Sequence, residues 1–271
     1  MKEDCDVDII ATGSELIYGQ LIDTNSSWIA NQLTRYGAEV RRITIVGDNI
    51  NDIKEAIKRG IIEERKTIII TGGLGPSEDD LTVEAIAKTV ERKVVYGRRS
   101  LKMLCERCKE FSLELNPRRK RMARIVEGAK SLENRIGLAS GMMLEIEKTM
   151  IVALPGIPKE LKPIFENHVL PLISKTTNWR TASIDLQIFL GEERFPILRQ
   201  IQAEFPDIYI KTHSQPPRHA KDNALTEGFK VTILVKGGDA DSCKLTLEKV
   251  VQRLKSLIEK KKGRFLVSRN Q

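Results

Sequence analysis

Aromatic side chains are scarce: seven Phe, four Tyr and two Trp make up 5% of the 271 residues. The shortage bears most on the basic part of the chain. Between Gly97 and Arg135 there are twelve Lys or Arg against five Asp or Glu, yet Phe111 is the one aromatic. A stacking platform for single-stranded nucleic acid needs aromatics interleaved with cations, so nucleic acid is not expected as a partner. Cysteine is also sparse. Cys5, Cys105, Cys108 and Cys243 do not make a disulfide framework in a chain this long. Cys105 and Cys108 form a C-x-x-C inside a helix-like stretch, but without a second pair or a neighbouring His they fall short of the four ligands structural zinc uses. His213 and His219 sit in a Pro-rich loop with Pro216-Pro217 and are expected to be solvated rather than metal-bound.

Long apolar runs are missing too. None approaches the ~20 residues that cross a bilayer, so no membrane partner is expected. The charged start Met1-Lys2-Glu3-Asp4 does not read as a signal peptide, and the expectation is a cytoplasmic protein. Neither G-x-G-x-x-G nor the lysine-bearing loop G-x-x-x-x-G-K-[ST] occurs at the glycine-rich turns, which counts against ordinary dinucleotide-binding and ATPase labels. The remaining composition is that of a globular chain: 41% hydrophobic, 30% charged, net charge +8. The charge excess invites a nucleic-acid reading, but a run such as Arg118-Arg119-Lys120-Arg121 is as often a solvated face. A sharper alternative is that some of these arginines reach an anionic ligand.

That ligand is suggested by one segment. Lys66-Thr67-Ile68-Ile69-Ile70 contains four β-branched residues in succession, as suits a strand buried on both faces of a parallel sheet. It runs directly into Thr71-Gly72-Gly73-Leu74-Gly75-Pro76-Ser77-Glu78-Asp79-Asp80-Leu81-Thr82. Gly72, Gly73 and Gly75 allow a tight turn and close backbone approach. Asp79 or Asp80 can cap the helix expected from Leu81. Strand, glycine loop and helix N-terminus together suit phosphate, because free N–H groups and the helix dipole face an anion. Paired aspartates beside phosphate make sense with a divalent cation between them. A second apolar strand, Val7–Thr12, also ends in Thr-Gly at Thr12-Gly13, followed by Glu15, Gly19 and Asp23-Thr24-Asn25. In a parallel sheet both strand ends share one edge, so Glu15, Asp23, Asp79 and Asp80 are expected to converge. A plain helix cap is the bland alternative for Asp23.

Along the chain, strands and amphipathic helices alternate through residue 175, which predicts an α/β domain with a mostly parallel sheet and helices on both faces. Helices are expected over Ser26–Tyr36, Asp52–Glu64, Thr82–Glu91, Arg98–Phe111, Pro117–Ile125 and Lys159–Ile173, and a hairpin over Gly141–Leu154. Ser174 to Asn178 reads as a linker. Residues 176–271 then read β-α-β-β-α, a small α+β domain that packs on the first or mediates dimerisation.

The two loops give a specific resemblance. T-G-S-E-L-x-x-G-x-x-x-D-T-N over Thr12–Asn25, then T-G-G-L-G-P-S-x-D-D-L-T over Thr71–Thr82, resemble the CinA family within the MoaB/MogA-like molybdopterin-binding fold. Leu74 and the doubled Asp79-Asp80 favour the CinA branch. Asn134 to Gly141 and Leu154-Pro155-Gly156-Ile157-Pro158-Lys159-Glu160 are similar to that family's N-x-x-G-x-A-x-G and L-P-G-x-P-x-E elements. Ser77 stands where Thr is usual, and Ser140 where Pro is common. The resemblance implies a three-layer molybdopterin-binding-like fold and a homo-oligomer. Its CinA branch implies metal-dependent hydrolysis of nucleotide pyrophosphates such as ADP-ribose, with Mg, Mn or Co. Its MogA branch implies joining an adenylate to molybdopterin, and a non-enzymatic binding module is a further alternative. The partner is a phosphorylated small molecule, nucleotide or pterin. Ligand contacts are expected at Thr12, Gly13, Glu15, Asn25, Thr71, Gly72, Gly73, Gly75, Pro76, Ser77, Gly141, Pro155 and Gly156. Asp23, Asp79 and Asp80 are the expected catalytic and metal-holding residues. Long CinA members carry a C-terminal amidase domain for which this chain has no room, so amidase activity is not expected.

Overall fold

The computed structural model describes residues 5–177, 180–190, 194–213 and 228–268. The chain divides into two compact units, 1–177 and 178–271. The first is built on a six-stranded sheet. Strands β1 (Asp6–Thr12), β2 (Glu39–Val46), β3 (Thr67–Thr71), β6 (Lys130–Leu132), β7 (Gly141–Ile146) and β8 (Thr149–Leu154) lie in the order β2-β1-β3-β8-β7-β6. The β2, β1, β3 and β8 pairings are parallel, whereas β7 pairs antiparallel with β8 and β6. Every residue of β3 is buried, as its unbroken β-branched sequence requires.

Alternation along the central strands feeds two cores. Val7, Ile9, Ile69 and Val152 face helices α2 (Thr24–Arg35), α7 (Pro158–Ile164) and α8 (Leu170–Thr176), packing with Ile29, Leu33, Leu161, Phe165 and Ile173. Ile10, Ile68, Ile70 and Ile151 face the opposite side, against Ile53 and Ile57 of α3 (Ile50–Ile62) and Val83 and Ile86 of α4 (Thr82–Thr89). At about 1.5–3 kcal/mol per fully buried aliphatic side chain, these two layers carry most of the stabilisation. The three-layer α/β architecture is the one the sequence predicts.

Several elements depart from expectation. The helix predicted over Pro117–Ile125 closes after one turn, α6 (Pro117–Lys120), and a 3-10 turn over Arg121–Ala123 leads into β5 (Arg124–Val126). That strand pairs antiparallel with β4 (Val94–Tyr96), and the pairing overrides local helix preference. The helix α5 (Arg98–Glu110) carries Cys105 and Cys108, and Cys108 is buried with Leu104 and Ala123. The predicted helix Lys159–Ile173 is interrupted by a π-helical turn over Phe165–Val169. Pro171 has no N–H to return to the preceding turn, and the ladder changes register just before it. Ser174 to Thr176 belong to α8 rather than to a linker. Thr177 is buried too, its hydroxyl donating to Tyr36 O at 2.7 Å.

In the second unit, β9 (Arg180–Phe189), β10 (Ile208–His213), β11 (Phe229–Gly237) and β12 (Arg264–Ser268) form an antiparallel sheet in the order β10-β11-β9-β12. Leu186, Ile188, Val231 and Ile233 pack against Ile201 of α9 (Arg194–Glu204) and Leu247, Val250 and Leu254 of α10 (Ala240–Lys260). Asp239 caps α10 by accepting from Ser242 N at 2.7 Å. The fourth strand, β12, is absent from the predicted pattern. His213 is the last residue of β10 rather than a loop residue, bonded to Thr232 Oγ1 at 2.9 Å; His219 lies outside the described residues. Among the described residues no helix is long and apolar enough to cross a membrane.

Candidate functional site

Because β1, β3 and β8 run parallel in adjacent register, Ala11 beside Thr71 and Thr71 beside Leu154, the loops that follow them open on one edge of the sheet. They enclose a cavity of about 570 Å³. Thr12, Gly13 and Glu15 line it from the first loop, Gly72 to Ser77 with Asp79 and Asp80 from the second, and Pro155 to Pro158 from the third. A smaller pocket of about 250 Å³ shares Thr12, Glu15 and Gly156 with it and is lined by Asp23, Asn25 and Thr71.

The loops are fixed by hydrogen bonds that begin at the strand ends. Gly13 N donates to Val46 O at 3.0 Å. Ser14 N donates to Asp48 Oδ2 at 2.8 Å, and Asp48 N returns a bond to Ser14 Oγ at 3.1 Å, so the loops after β1 and β2 are clasped. Behind the glycine loop three buried threonines form a brace. Thr12 Oγ1 donates to Thr71 O at 3.2 Å, and Thr82 Oγ1 to Gly72 O at 2.8 Å. Gly72 holds φ at +98°, and a Cβ there would lie 2.4 Å from Thr12 O. Only glycine satisfies both the left-handed backbone and the close approach. Thr12, expected from sequence to contact the ligand, spends its hydroxyl proton on this brace.

The carboxylates divide by what they already hold. Asp80 Oδ2 accepts from Ser77 N at 2.7 Å, closing the turn after Gly75, where a Cβ would fall 2.6 Å from the same oxygen. Helix α4 therefore has Leu81 at its N-cap position and no side-chain cap, and neither Asp79 nor Asp80 caps it. Asp23 caps α2 through Ser26 N at 2.9 Å and faces the smaller pocket. Asn25 Nδ2 donates to Gly156 O at 2.7 Å, tying α2 to the third loop. Glu160 Oε2 accepts from Asn134 Nδ2 at 2.6 Å. Asn134 Oδ1 in turn accepts from the amides of Ile136 and Gly137, so the segments around Asn134 and Glu160 are joined through one side chain. Among the described residues, Glu15 and Asp79 are the lining carboxylates without a hydrogen bond or ion pair to the protein.

Two expectations need correction. Asp23, Asp79 and Asp80 are not gathered into one set: among the described residues no group of three or more His, Cys, Asp or Glu is placed to hold a metal ion. Asp23 commits Oδ1 to its cap and Asp80 commits Oδ2 to its turn, and each keeps a second carboxylate oxygen. Gly141 is a packing residue, buried in β7, where a Cβ would sit 2.9 Å from Ala153 O, and it lines neither pocket. Sequence reasoning missed Asp48, Glu160, Leu21, Met122 and Ile157, which all line the cavity. Gly47-Asp48 after β2 was a third strand end bearing a carboxylate, and Ile157 and Glu160 stood in a quoted motif; Leu21 and Met122 left no signal.

Five acidic residues thus line the cavity, Glu15, Asp48, Asp79, Asp80 and Glu160, with no Lys, Arg or His among them.

A family model described as "Probable molybdopterin binding domain" matches residues 8–175. The chain is 33% identical over 258 residues to a protein of Pyrobaculum aerophilum, covering 94% of this chain and 95% of that one. It is 35% identical over 262 residues to a Bacillus subtilis protein named competence-damage inducible, covering 95% of this chain and 59% of the relative. Among solved structures it resembles the protein CinA of Thermoplasma acidophilum, with a TM-score of 0.56 and 32% identity over 60% of this chain and 95% of that one.

Proposed function

Since the chain belongs to the family described as the probable molybdopterin binding domain, with CinA relatives, we propose that it binds a phosphorylated nucleotide or pterin and hydrolyses its pyrophosphate with a divalent metal. One observation carries this reading. A glycine loop suited to phosphate oxygens opens into a cavity lined by five carboxylates and no cationic side chain. A polyanion brought beside those carboxylates needs cations to offset the repulsion, and a divalent ion would supply that charge.

The donor set fits magnesium-like ions rather than a closed protein cage. Such ions take one or two carboxylates, substrate phosphate oxygens and waters. Glu15 and Asp79, unpartnered and from the loops after β1 and β3, are the residues that would hold one. When bound, such an ion offsets charge developing on the phosphates and lowers the pKa of an attacking water. The protein's own contribution is positional. Backbone at Gly72, Gly73 and Gly75 orients the phosphates, Asp80 keeps the turn shaped, and Leu21, Met122 and Ile157 cover the ligand's less polar part and exclude water.

The test is a screen of pyrophosphate nucleotides, ADP-ribose first, with Mg²⁺, Mn²⁺ and Co²⁺. Metal-dependent release of two monophosphates is the expected result; no turnover with any metal refutes hydrolysis. A second reading, binding of molybdopterin or a nucleotide without hydrolysis, or with adenylyl transfer, is supported by the family's description as a probable molybdopterin binding domain. Micromolar binding with no product would select its binding-only form, and formation of an adenylylated pterin its transfer form.

A further inference from the structure

One cation touches the cavity wall from outside. Arg121, which ends the basic run and opens the 3-10 turn, donates from Nη2 to Ser77 O at 3.1 Å across 44 residues of chain. Among the described residues no other Lys or Arg side chain is hydrogen-bonded or ion-paired to a residue lining the cavity. Its guanidinium lies 3.8 Å from Glu84 Oε1 in the first turn of α4, and Arg124 Nη1 reaches that oxygen at 2.5 Å. Arg124 Nε donates to Arg121 O at 3.2 Å, so the two arginines and Glu84 form one partly buried cluster.

Arg119 and Lys120 of the basic run are occupied locally. Arg119 Nη1 donates to Glu114 O at 2.7 Å, and Lys120 lies over the Tyr96 ring at 4.9 Å. The turn that Arg121 reaches has two further bonds, Ser77 N to Asp80 Oδ2 and Asp80 N to Ser77 O at 3.4 Å. Both close the turn on itself, and neither anchors it to another element. The bond from Arg121 does.

We propose that Arg121 is a positioning residue for this cavity: it pins the Pro76–Asp80 turn through the Ser77 carbonyl, with Glu84 as counterion, and so sets where Asp79 faces. The inference rests on the functional reading above. Arg121 is not among the lining residues, and its Nε is buried without a partner, so it acts through the turn and not on the ligand. A charge-assisted bond to a backbone carbonyl is stronger than a neutral one, which suits an anchor for a turn that carries negative charge.

The test compares the full-length protein with Arg121→Met and Arg121→Lys by two measurements. Amide hydrogen exchange over residues 72–82 reads the hold on the turn without reference to any ligand. Steady-state hydrolysis of ADP-ribose with Mn²⁺ reads its consequence. Arg121→Met is expected to speed exchange and raise KM, each by about tenfold or more, with kcat changed little. Arg121→Lys keeps the charge without the planar fork and is expected to recover part of both. If Arg121→Met does not fold, Arg121→Lys, which leaves Glu84 a counterion, gives the same comparison at smaller amplitude. Exchange at the wild-type rate, or faster exchange with unchanged KM, overturns the proposal. If the wild type hydrolyses nothing, the functional reading fails, and exchange alone decides whether Arg121 holds the turn.

Discussion

Asp79 and Asp80 are neighbours of the same chemistry, and the structure separates what each should do when its charge is removed. Asp79 is exposed and makes no hydrogen bond or ion pair, so Asp79→Asn should leave stability within about 0.5 kcal/mol of the wild type. Its charge matters only to something that arrives. A carboxylate about 4 Å from a unit cation is worth about 1 kcal/mol in water and about 4 kcal/mol near a protein surface. The exposed position favours the lower half of that range, and a roughly tenfold to hundredfold rise in half-saturating metal follows. Asp80→Asn is the converse. Its Oδ2 accepts from Ser77 N at 2.7 Å, and an amide oxygen can still accept there, though without charge assistance. About 1 kcal/mol should be lost, lowering the melting temperature by roughly 2–4 °C, with a smaller change in metal response. The assay is hydrolysis or calorimetric binding of ADP-ribose across a Mn²⁺ titration, with melting curves for both variants. Wild-type metal dependence in Asp79→Asn would refute the assignment of Asp79.

The other expectations are narrower. Gly72→Ala forces a Cβ to 2.4 Å from Thr12 O at φ +98°, so it should cost about 2–3 kcal/mol, read as a melting temperature lower by roughly 5–10 °C; an unchanged temperature would contradict the backbone argument. Hydrogen bonds from Arg59 and Arg42 hold Glu63 down at about 2 from its ordinary 4.5. A depressed folded-state pKa gives stability that is present above pH 4.5 and lost as pH falls through about 2, so Glu63→Gln should flatten the melting-temperature decline across that window. Truncation after Thr177 should leave a cooperatively unfolding unit that keeps ligand binding, since every lining residue precedes it; intact folding with lost binding would show that the second unit contributes to the site.

What the sequence disclosed followed from how strongly local chemistry constrains the chain. Thr67 to Ile70 could only be a strand covered on both faces, and two Thr-Gly strand ends in a parallel sheet had to share an edge. The short strands Lys130–Leu132 and Val94–Tyr96 escaped because three residues carry no readable alternation; they exist through pairing with β7 and β5. The carboxylates were harder still. Whether an aspartate caps a helix, closes a turn or faces a ligand depends on a backbone path that composition does not specify. Asp23 and Asp80 look alike in sequence, yet one caps α2 and the other folds back on Ser77. The contributions of Asp48 and Glu160 come from a loop after β2 and the first turn of α7, which only the assembled sheet brings to the same edge.

Net charge and the cavity point in opposite directions. A chain of +8 invites an anionic macromolecule, a reading the scarcity of aromatics already disfavoured, while the cavity it encloses is lined by carboxylates. The two facts act at different ranges. Surface cations set the field felt by an approaching anion, and at physiological salt that field is screened over about 8 Å. The lining carboxylates act inside that distance, where an anion without a metal meets repulsion and backbone amides alone. A ligand that carries its own divalent ion satisfies both, attracted less strongly from afar but not repelled on entry. The basic surface and the acidic cavity are therefore consistent with one small phosphorylated partner, and neither requires nucleic acid.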